Sequence, residues 1–238
     1  MDVVHIFITT FCTTFGAVPV LFIRRLSHKG KDGLLALAAG IMVAASTYGL
    51  IPSALKLSNL FTLVAGILIG TFVLLILEIM IPHHDLEHHN DTNTNISLFI
   101  IAMALHNLPE GMSVGMSYAS QYVNLGPVVS FAIGLQNFPE GFLIGLYLII
   151  QNIRGWKMLG LVTFTALVEF SAGLAGVFFG QAFSGLVPYG LAFSAGAMLF
   201  IVYKELIPES HGDGNERIST LAFIMGFIVM IILTEQLR

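Results

Sequence analysis

Two short segments of the sequence share Asn, Pro, Glu and Gly in the same register after a polar first residue, and the second segment follows the first by thirty positions. They are His106-Asn107-Leu108-Pro109-Glu110-Gly111 and Gln136-Asn137-Phe138-Pro139-Glu140-Gly141. In each segment the first residue precedes the Glu by four positions, so both side chains share one face of a helix. An imidazole together with carboxylate and amide oxygens is a donor set suited to Zn²⁺, Fe²⁺, Mn²⁺ or Cd²⁺.

A third carboxylate, Glu169, lies within another strongly apolar stretch. Counted at 1.5 Å per residue, His106, Gln136 and Glu169 each lie roughly 14–16 Å into a predicted helix. That depth is close to the middle of a hydrocarbon core about 30 Å thick. No Lys or Arg is predicted at this level, so the carboxylates there must be protonated, hydrated or bound to a cation. The residues therefore predict a divalent cation at the bilayer midplane.

The elements that position these side chains are predicted to be membrane-spanning helices. Charged residues make up 10% of the 238 residues and apolar residues 56%, against about 25% and 45–50% in soluble domains. A helix needs roughly 20 mostly apolar residues to cross a bilayer. Eight such stretches fall near 3–23, 33–54, 58–81, 96–118, 127–150, 158–181, 187–208 and 217–237. The N-terminus lacks the features of a cleaved secretory signal, so the first stretch is predicted to be retained.

These spans predict an all-α integral membrane protein with one transmembrane domain over residues 1–238. A polar, His-rich loop at 82–95 connects the third and fourth helices. Eight basic residues fall on one side of such a topology, and only Lys56 and Arg238 fall on the other. Because cytoplasmic loops carry the excess of Lys and Arg, both termini are predicted to lie outside. The scattered basic residues form no nucleic-acid surface, and the lone Cys12 excludes a disulfide within the chain.

A second internal match relates the second helix to the seventh. Gly, Met and Leu-Ile-Pro at 40, 42 and 50–52 recur at 196, 198 and 206–208. Helices 2 and 7 run in opposite directions, as do helices 4 and 5. A 3+2+3 inverted-repeat arrangement, with helices 1–3 inverted onto helices 6–8 around a central pair, accommodates both matches. Such repeats are typical of secondary transporters that bind their substrate near the midplane.

Three kinds of function are compatible with a metal at this depth. An intramembrane metal-dependent hydrolase is disfavoured, because the sequence has no HExxH motif and His106 is its only His predicted at membrane depth. A metal or proton channel leaves His106 and the repeated Asn unexplained. We therefore predict a divalent metal ion transporter, not an enzyme, with no prosthetic group and with Zn²⁺ (or Fe²⁺, Mn²⁺, Co²⁺ or Cd²⁺) as its substrate.

The two motifs resemble the signatures that ZIP (Zrt/Irt-like) metal transporters carry on helices 4 and 5, and Glu169 resembles their helix-6 carboxylate. The resemblance covers essentially the whole chain. It implies zinc uptake by alternating access, with helices 1, 4, 5 and 6 moving against helices 2, 3, 7 and 8. It also implies a homodimer and, through a GufA-like bacterial branch that shares Gln136, the bacterial inner membrane.

The same resemblance implies a site for up to two metals. The first position would be formed by His106, Glu110, Gln136 and Glu140, and the second by Asn107, Glu110, Asn137, Glu140 and Glu169. The GufA-like branch often has Asp where this chain has Asn137. The loss of one negative charge predicts a weaker second position here.

A further polar group is predicted near the cytoplasmic ends of the helices. Glu205, Glu209 and His211 are candidates for a site that releases the metal, and Glu78 is a candidate fourth member. The loop would add metal-binding side chains on the same side: His83, His84, Asp85, His88 and His89. A solvated loop without a metal function is an equally good interpretation of residues 82–95. Asp2 and His5 are candidates for attracting ions at the outer end.

Overall fold

The computed structural model describes residues 2–22, 27–80, 96–212 and 214–237, which form eight long helices and no strands. The predicted all-α class is therefore confirmed. The helices are α1 (Asp2–Ala17, followed by a 3₁₀ turn at Val18–Leu21), α2 (His28–Leu57), α3 (Leu60–Met80), α4 (Ile96–Tyr118), α5 (Leu125–Ile150), α6 (Trp156–Ala182), α7 (Ser184–His211) and α8 (Glu216–Leu237).

Seven of these helices are long and apolar enough to cross a membrane. The exception is α4, whose 23 residues suffice in length but whose polar motif lowers its hydropathy. Most predicted boundaries agree with the structure to within a few residues. The helix α2 starts earlier than predicted, at His28, because the hydroxyl of Ser27 accepts a hydrogen bond from the N–H of Gly30 (3.2 Å) and caps it. The predicted loop 82–95 lies outside the described residues.

The helices pack mainly in four pairs. α4 packs on α6 and α1 on α5, whereas α2 packs on α8 and α3 on α7. Two glycines allow the first two pairs to approach backbone to backbone. A Cβ atom at Gly111 would overlap the carbonyl oxygen of Glu169, and one at Gly141 would overlap that of Thr13. Small residues are the usual means by which membrane helices approach this closely. The same contacts hold Glu169 and Thr13 beside the two motifs.

Two of the helices contain a π-helical segment, Ala45–Leu50 in α2 and Val202–Leu206 in α7. In each, the N–H of an Ile donates to a carbonyl five residues earlier, from Ile51 to Ser46 and from Ile207 to Val202. The next residue is Pro52 or Pro208, which has no N–H to donate and therefore interrupts the α-helical pattern. Contacts between the four helix pairs also occur, where α4 packs on α7 and α2 on α5.

Large apolar side chains cover the outer faces of α3 and α8. Phe61, Phe72 and Ile79 on α3, and Leu221 and Met225 on α8, are all more than half exposed. Exposed apolar surface of this extent is unusual for a soluble monomer and fits contact with lipid. Buried apolar side chains form two clusters instead, one where α2 and α7 meet the other helices, around Met198, and one around Leu148 of α5 and Met158 of α6.

Candidate metal site

The polar motif of α4 lies inside the bundle. Glu110 and Asn107 are fully buried, and His106 is nearly so. The helix continues through Pro109, although this residue cannot donate a hydrogen bond to the carbonyl of Leu105. His106 and Glu110 therefore stay one helical turn apart on one face, as the sequence predicts.

The motifs of α4 and α5 bond to each other crosswise. The amide nitrogen of Gln136 donates to Oε1 of Glu110. With its amide oriented to satisfy both neighbours, Asn107 donates to Oε1 of Glu140 (2.7 Å) and to the carbonyl of Met103 (2.9 Å). Each Glu is thus bonded by an amide from the other helix. This pairing draws both carboxylates to the contact between α4 and α5.

The third carboxylate, Glu169 on α6, is fully buried and bonded on both oxygens. Its Oε1 accepts from Nδ2 of Asn137 (2.7 Å), and its Oε2 accepts from the hydroxyl of Thr13 (3.4 Å). Nδ2 of Asn137 also donates to the carbonyl of Thr9 (3.1 Å). Four helices, α1, α4, α5 and α6, therefore converge on this group of side chains.

Three buried oxygens of this group have no hydrogen-bond partner among the described residues: Oε2 of Glu110, Oε1 of Gln136 and Oδ1 of Asn137. All three are acceptors. None of the ion pairs in the described ranges joins a Lys or Arg to Glu110, Glu140 or Glu169. Buried acceptors without donors are costly, and a cation would satisfy them.

The donor set is mixed rather than a compact cluster of charged ligands. If His, Cys, Asp and Glu alone are considered, no group of three within the described ranges is arranged to hold a metal ion. Amide oxygens must therefore contribute if an ion binds here. Carboxylate and amide oxygens with one imidazole suit a borderline or hard dication better than Cu⁺.

His106 contacts a residue that the sequence places elsewhere. Its Nε2 lies 3.1 Å from Oε1 of Glu205 on α7. The sequence estimate puts Glu205 near the inner end of a helix that ends at 208, but α7 continues to His211. Glu205 is then about 9 Å from the end of α7 at His211, and His106 is about 15 Å from the end of α4 at Ile96. The two long side chains span the remaining difference.

The structure brings Glu78 of the predicted inner group together with Glu205 but pairs Glu209 and His211 elsewhere. Glu78 forms an ion pair with Lys204 (3.2 Å) and lines one cleft together with His106 and Glu205. Glu209 is paired with Lys31. Nδ1 of His211 lies 3.0 Å from the hydroxyl of Ser210 and 2.9 Å from the carbonyl of Ile207. The loop residues His83, His84, Asp85, His88 and His89 lie outside the described residues.

At the opposite end, the ring of His5 stacks on that of Tyr118, with centroids 5.7 Å apart. The side chain of Asp2 lies outside the described part. Of the two predicted outer residues, the structure therefore describes the side chain of His5 alone, which lies against the last residue of α4.

Comparison with known proteins identifies the family. A family profile described as ZIP zinc transporter matches residues 82–234. The chain belongs to the ZIP family. It is 37% identical to the zinc transporter GufA of Myxococcus xanthus over 94% of each chain. It is also 31% identical to the zinc transporter ZIPB of Bordetella bronchiseptica, over 94% of this chain and 77% of that relative. A shorter match, 37% identical over 57% of this chain and 42% of the relative, is to human zinc transporter ZIP11.

The matched segment of this ZIP chain contains α4, α5, α6 and α7 with all seven residues predicted at the midplane. The similarity to GufA extends over almost the whole chain, so α1 and α2 belong to the same family fold. The matched proteins are named as zinc transporters, so family membership argues against the alternative of a metal-dependent hydrolase.

Sequence reasoning missed two residues of the site, Thr13 and Thr9 on α1. A signal for Thr13 was present: it precedes Glu169 by 156 positions, the offset that relates helix 2 to helix 7. A threonine in an apolar helix does not by itself indicate a functional site, because its hydroxyl can bond to a carbonyl of its own helix. The repeat offset applied to helix 1 would have found it.

Proposed function

We propose that this ZIP chain carries Zn²⁺ from outside the cell into the cytoplasm, binding it at the bilayer midplane between α4, α5 and α6. The main support is the group of buried, unpartnered oxygens on Glu110, Gln136 and Asn137. The choice of metal rests on the relatives, which are named zinc transporters. Fe²⁺, Mn²⁺, Co²⁺ and Cd²⁺ accept similar ligands and are the expected competitors.

The first metal position would use His106, Glu110, Gln136 and Glu140. Glu110 and Gln136 are already in contact, and each has a further buried oxygen for the ion. The second would use Asn107, Glu110, Asn137, Glu140 and Glu169. Asn137 there bonds to Glu169 through its nitrogen and leaves its oxygen for a metal. A neutral amide at 137 contributes less than a carboxylate would, so one ion should bind more tightly than the other.

The proposed architecture is the 3+2+3 inverted repeat, formed by one transmembrane domain over residues 1–238 with both termini outside. Its support lies in contacts that recur at one offset. A Cβ at Gly40 would overlap the carbonyl of Phe223, and one at Gly196 would overlap that of Ile67. Gly196 follows Gly40 by 156 positions, and Phe223 follows Ile67 by the same number. The π-helical segments recur at this offset too.

The proposed mechanism is alternating access, in which α1, α4, α5 and α6 move against α2, α3, α7 and α8. The packing supports this division, because the main helix pairs lie within the two groups. The cleft lined by Glu78, His106 and Glu205 would be the inner exit, with the loop 82–95 receiving the ion. The expected setting is a bacterial inner membrane, and the expected assembly a homodimer.

A flux measurement tests this function. Purified protein in liposomes containing a zinc-sensitive dye should admit Zn²⁺ with saturable kinetics, and a second metal that shares the site should compete. Current without dependence on metal would indicate a channel. Metal-dependent cleavage of lipid or peptide without ion flux would indicate a hydrolase.

The Asn137→Asp variant tests the two-position site. A carboxylate at 137 adds a negative charge next to Glu169, which should raise the number of Zn²⁺ ions bound per chain from about one toward two. Metal analysis after equilibrium dialysis measures this number. Asn152→Asp, in the turn after α5, is the control for the added charge. An unchanged number in Asn137→Asp would argue against a second position.

The Thr13→Val variant tests the contribution of α1. Loss of the hydroxyl removes one hydrogen bond to Glu169, which should weaken Zn²⁺ binding about two- to tenfold. Equilibrium dialysis gives the affinity. Thr13→Ser keeps the hydroxyl and should retain binding. Unchanged binding in Thr13→Val would show that the site does not require the hydroxyl, and a loss confined to Thr13→Ser would assign the requirement to packing of the methyl group.

A further inference from the structure

One carboxylate of the inner cleft, Glu78, belongs to an ion pair that the metal site itself does not use. Nζ of Lys204 on α7 lies 3.2 Å from Oε1 of Glu78 on α3. The adjacent residue, Glu205, contacts His106. Both Lys204 and Glu205 lie in the π-helical segment Val202–Leu206. Because successive side chains in a wide turn are separated by a smaller angle than in an α-helix, Glu205 can line the cleft while its neighbour Lys204 reaches Glu78.

The repeat offset provides an internal comparison for this ion pair. Adding or subtracting 156 relates Lys204, Glu205 and Glu78 to Tyr48, Gly49 and Thr234. Gly49 and Thr234 line a second cleft, which lies between α2, α5 and α8 and is otherwise apolar. None of these three counterparts carries a charge at neutral pH. The same helix packing is therefore built without an ion pair at the related position, so packing alone does not require one.

The charges of the inner cleft create a problem for release. A dication that leaves the midplane meets His106 and Glu205, and Glu78 would add a second carboxylate to the same cleft. An imidazole with two carboxylates is a strong ligand set for Zn²⁺. An ion held by all three would leave slowly.

We propose that Lys204 is a tethered cation that occupies Glu78 and keeps it out of the metal's ligand set in the inner cleft. A departing Zn²⁺ then meets one carboxylate instead of two, unless it displaces the ammonium group. Lys204 thereby sets how tightly the inner cleft binds Zn²⁺ and how fast Zn²⁺ is released from it. This role rests on the proposed function, since it concerns the exit of the same transport path.

Binding of Zn²⁺ to purified Lys204→Gln protein tests the role without relying on transport. The variant should bind Zn²⁺ at the inner cleft about three- to tenfold more tightly than the unaltered chain, a modest effect because the pair is partly exposed. The double variant Lys204→Gln with Glu78→Gln should lose this gain, because the released carboxylate is then absent. Lys56→Gln, which removes a positive charge in the last turn of α2, away from this ion pair, should not change binding.

Flux through the same proteins gives the second readout. Lys204→Gln should lower both KM and kcat for Zn²⁺, since tighter binding at the exit slows release. Binding that is unchanged in Lys204→Gln, or a gain that persists in the double variant, would overturn the role of Lys204. Absence of Zn²⁺ flux in the unaltered chain would instead overturn the proposed function, while the binding comparison would still decide whether Lys204 shields Glu78.

Discussion

Replacing Glu110 with Gln should lower Zn²⁺ uptake at least about a hundredfold. Glu110 is fully buried, accepts a hydrogen bond from Gln136 on one oxygen and has its other oxygen unpartnered. It is also shared by both proposed metal positions. Loss of residues that merely support metal ligands costs about 10–100-fold, so loss of a shared ligand should cost more. Glutamine keeps the size of the side chain, and the defect would therefore be one of charge and coordination.

Uptake into liposomes and equilibrium dialysis should both report this loss. Glu216→Gln, an exposed carboxylate in the first turn of α8, is the matched control and should behave like the unaltered chain. The thermal unfolding temperature of Glu110→Gln in detergent should not fall, because a buried charge has been removed. Uptake that survives in a folded Glu110→Gln protein would remove Glu110 from the metal path.

Gly111→Ala should destabilise the protein and disrupt the site together. A Cβ at this position would overlap the backbone of α6 at the carbonyl of Glu169 and lie 3.0 Å from the nitrogen of Gly173. Backbone atoms cannot rotate aside as side chains do, so α4 and α6 would have to separate. Overpacking of this kind typically costs about 1–3 kcal/mol. Because the carbonyl that must move belongs to Glu169, its carboxylate would move as well.

Gly160→Ala is the control for this substitution. Gly160 lies in α6 with no atom near the position that its Cβ would take, so alanine there should be neutral or slightly stabilising. Thermal unfolding in detergent and Zn²⁺ affinity should both fall in Gly111→Ala and neither in Gly160→Ala. Equal behaviour of the two variants would show that the contact between α4 and α6 can relax at little cost.

The helices and the spacing of the motif residues can be predicted from local sequence. Apolar stretches of sufficient length predict the helices, and four-residue spacing predicts that His106 and Glu110 share a face. The contact between His106 and Glu205 could not be predicted in this way, because it depends on where α7 ends and on two side-chain conformations. The bond from Thr13 to Glu169 depends on how closely α1 approaches α6. The pairing of Glu78 with Lys204 likewise depends on packing between helices that are distant in sequence.

The π-helical segments also affect how the chain should be compared with its relatives. A π turn is equivalent to an α-helix with one inserted residue, so each segment shifts the following side chains about 100° around the helix axis. A relative that lacks the extra residue would need a one-residue gap near Val202–Leu206. Without that gap, the alignment would equate Glu205 with a residue on a different face of its helix. Insertions and deletions near positions 45–50 and 202–206 therefore show which relatives can present an acidic side chain to His106.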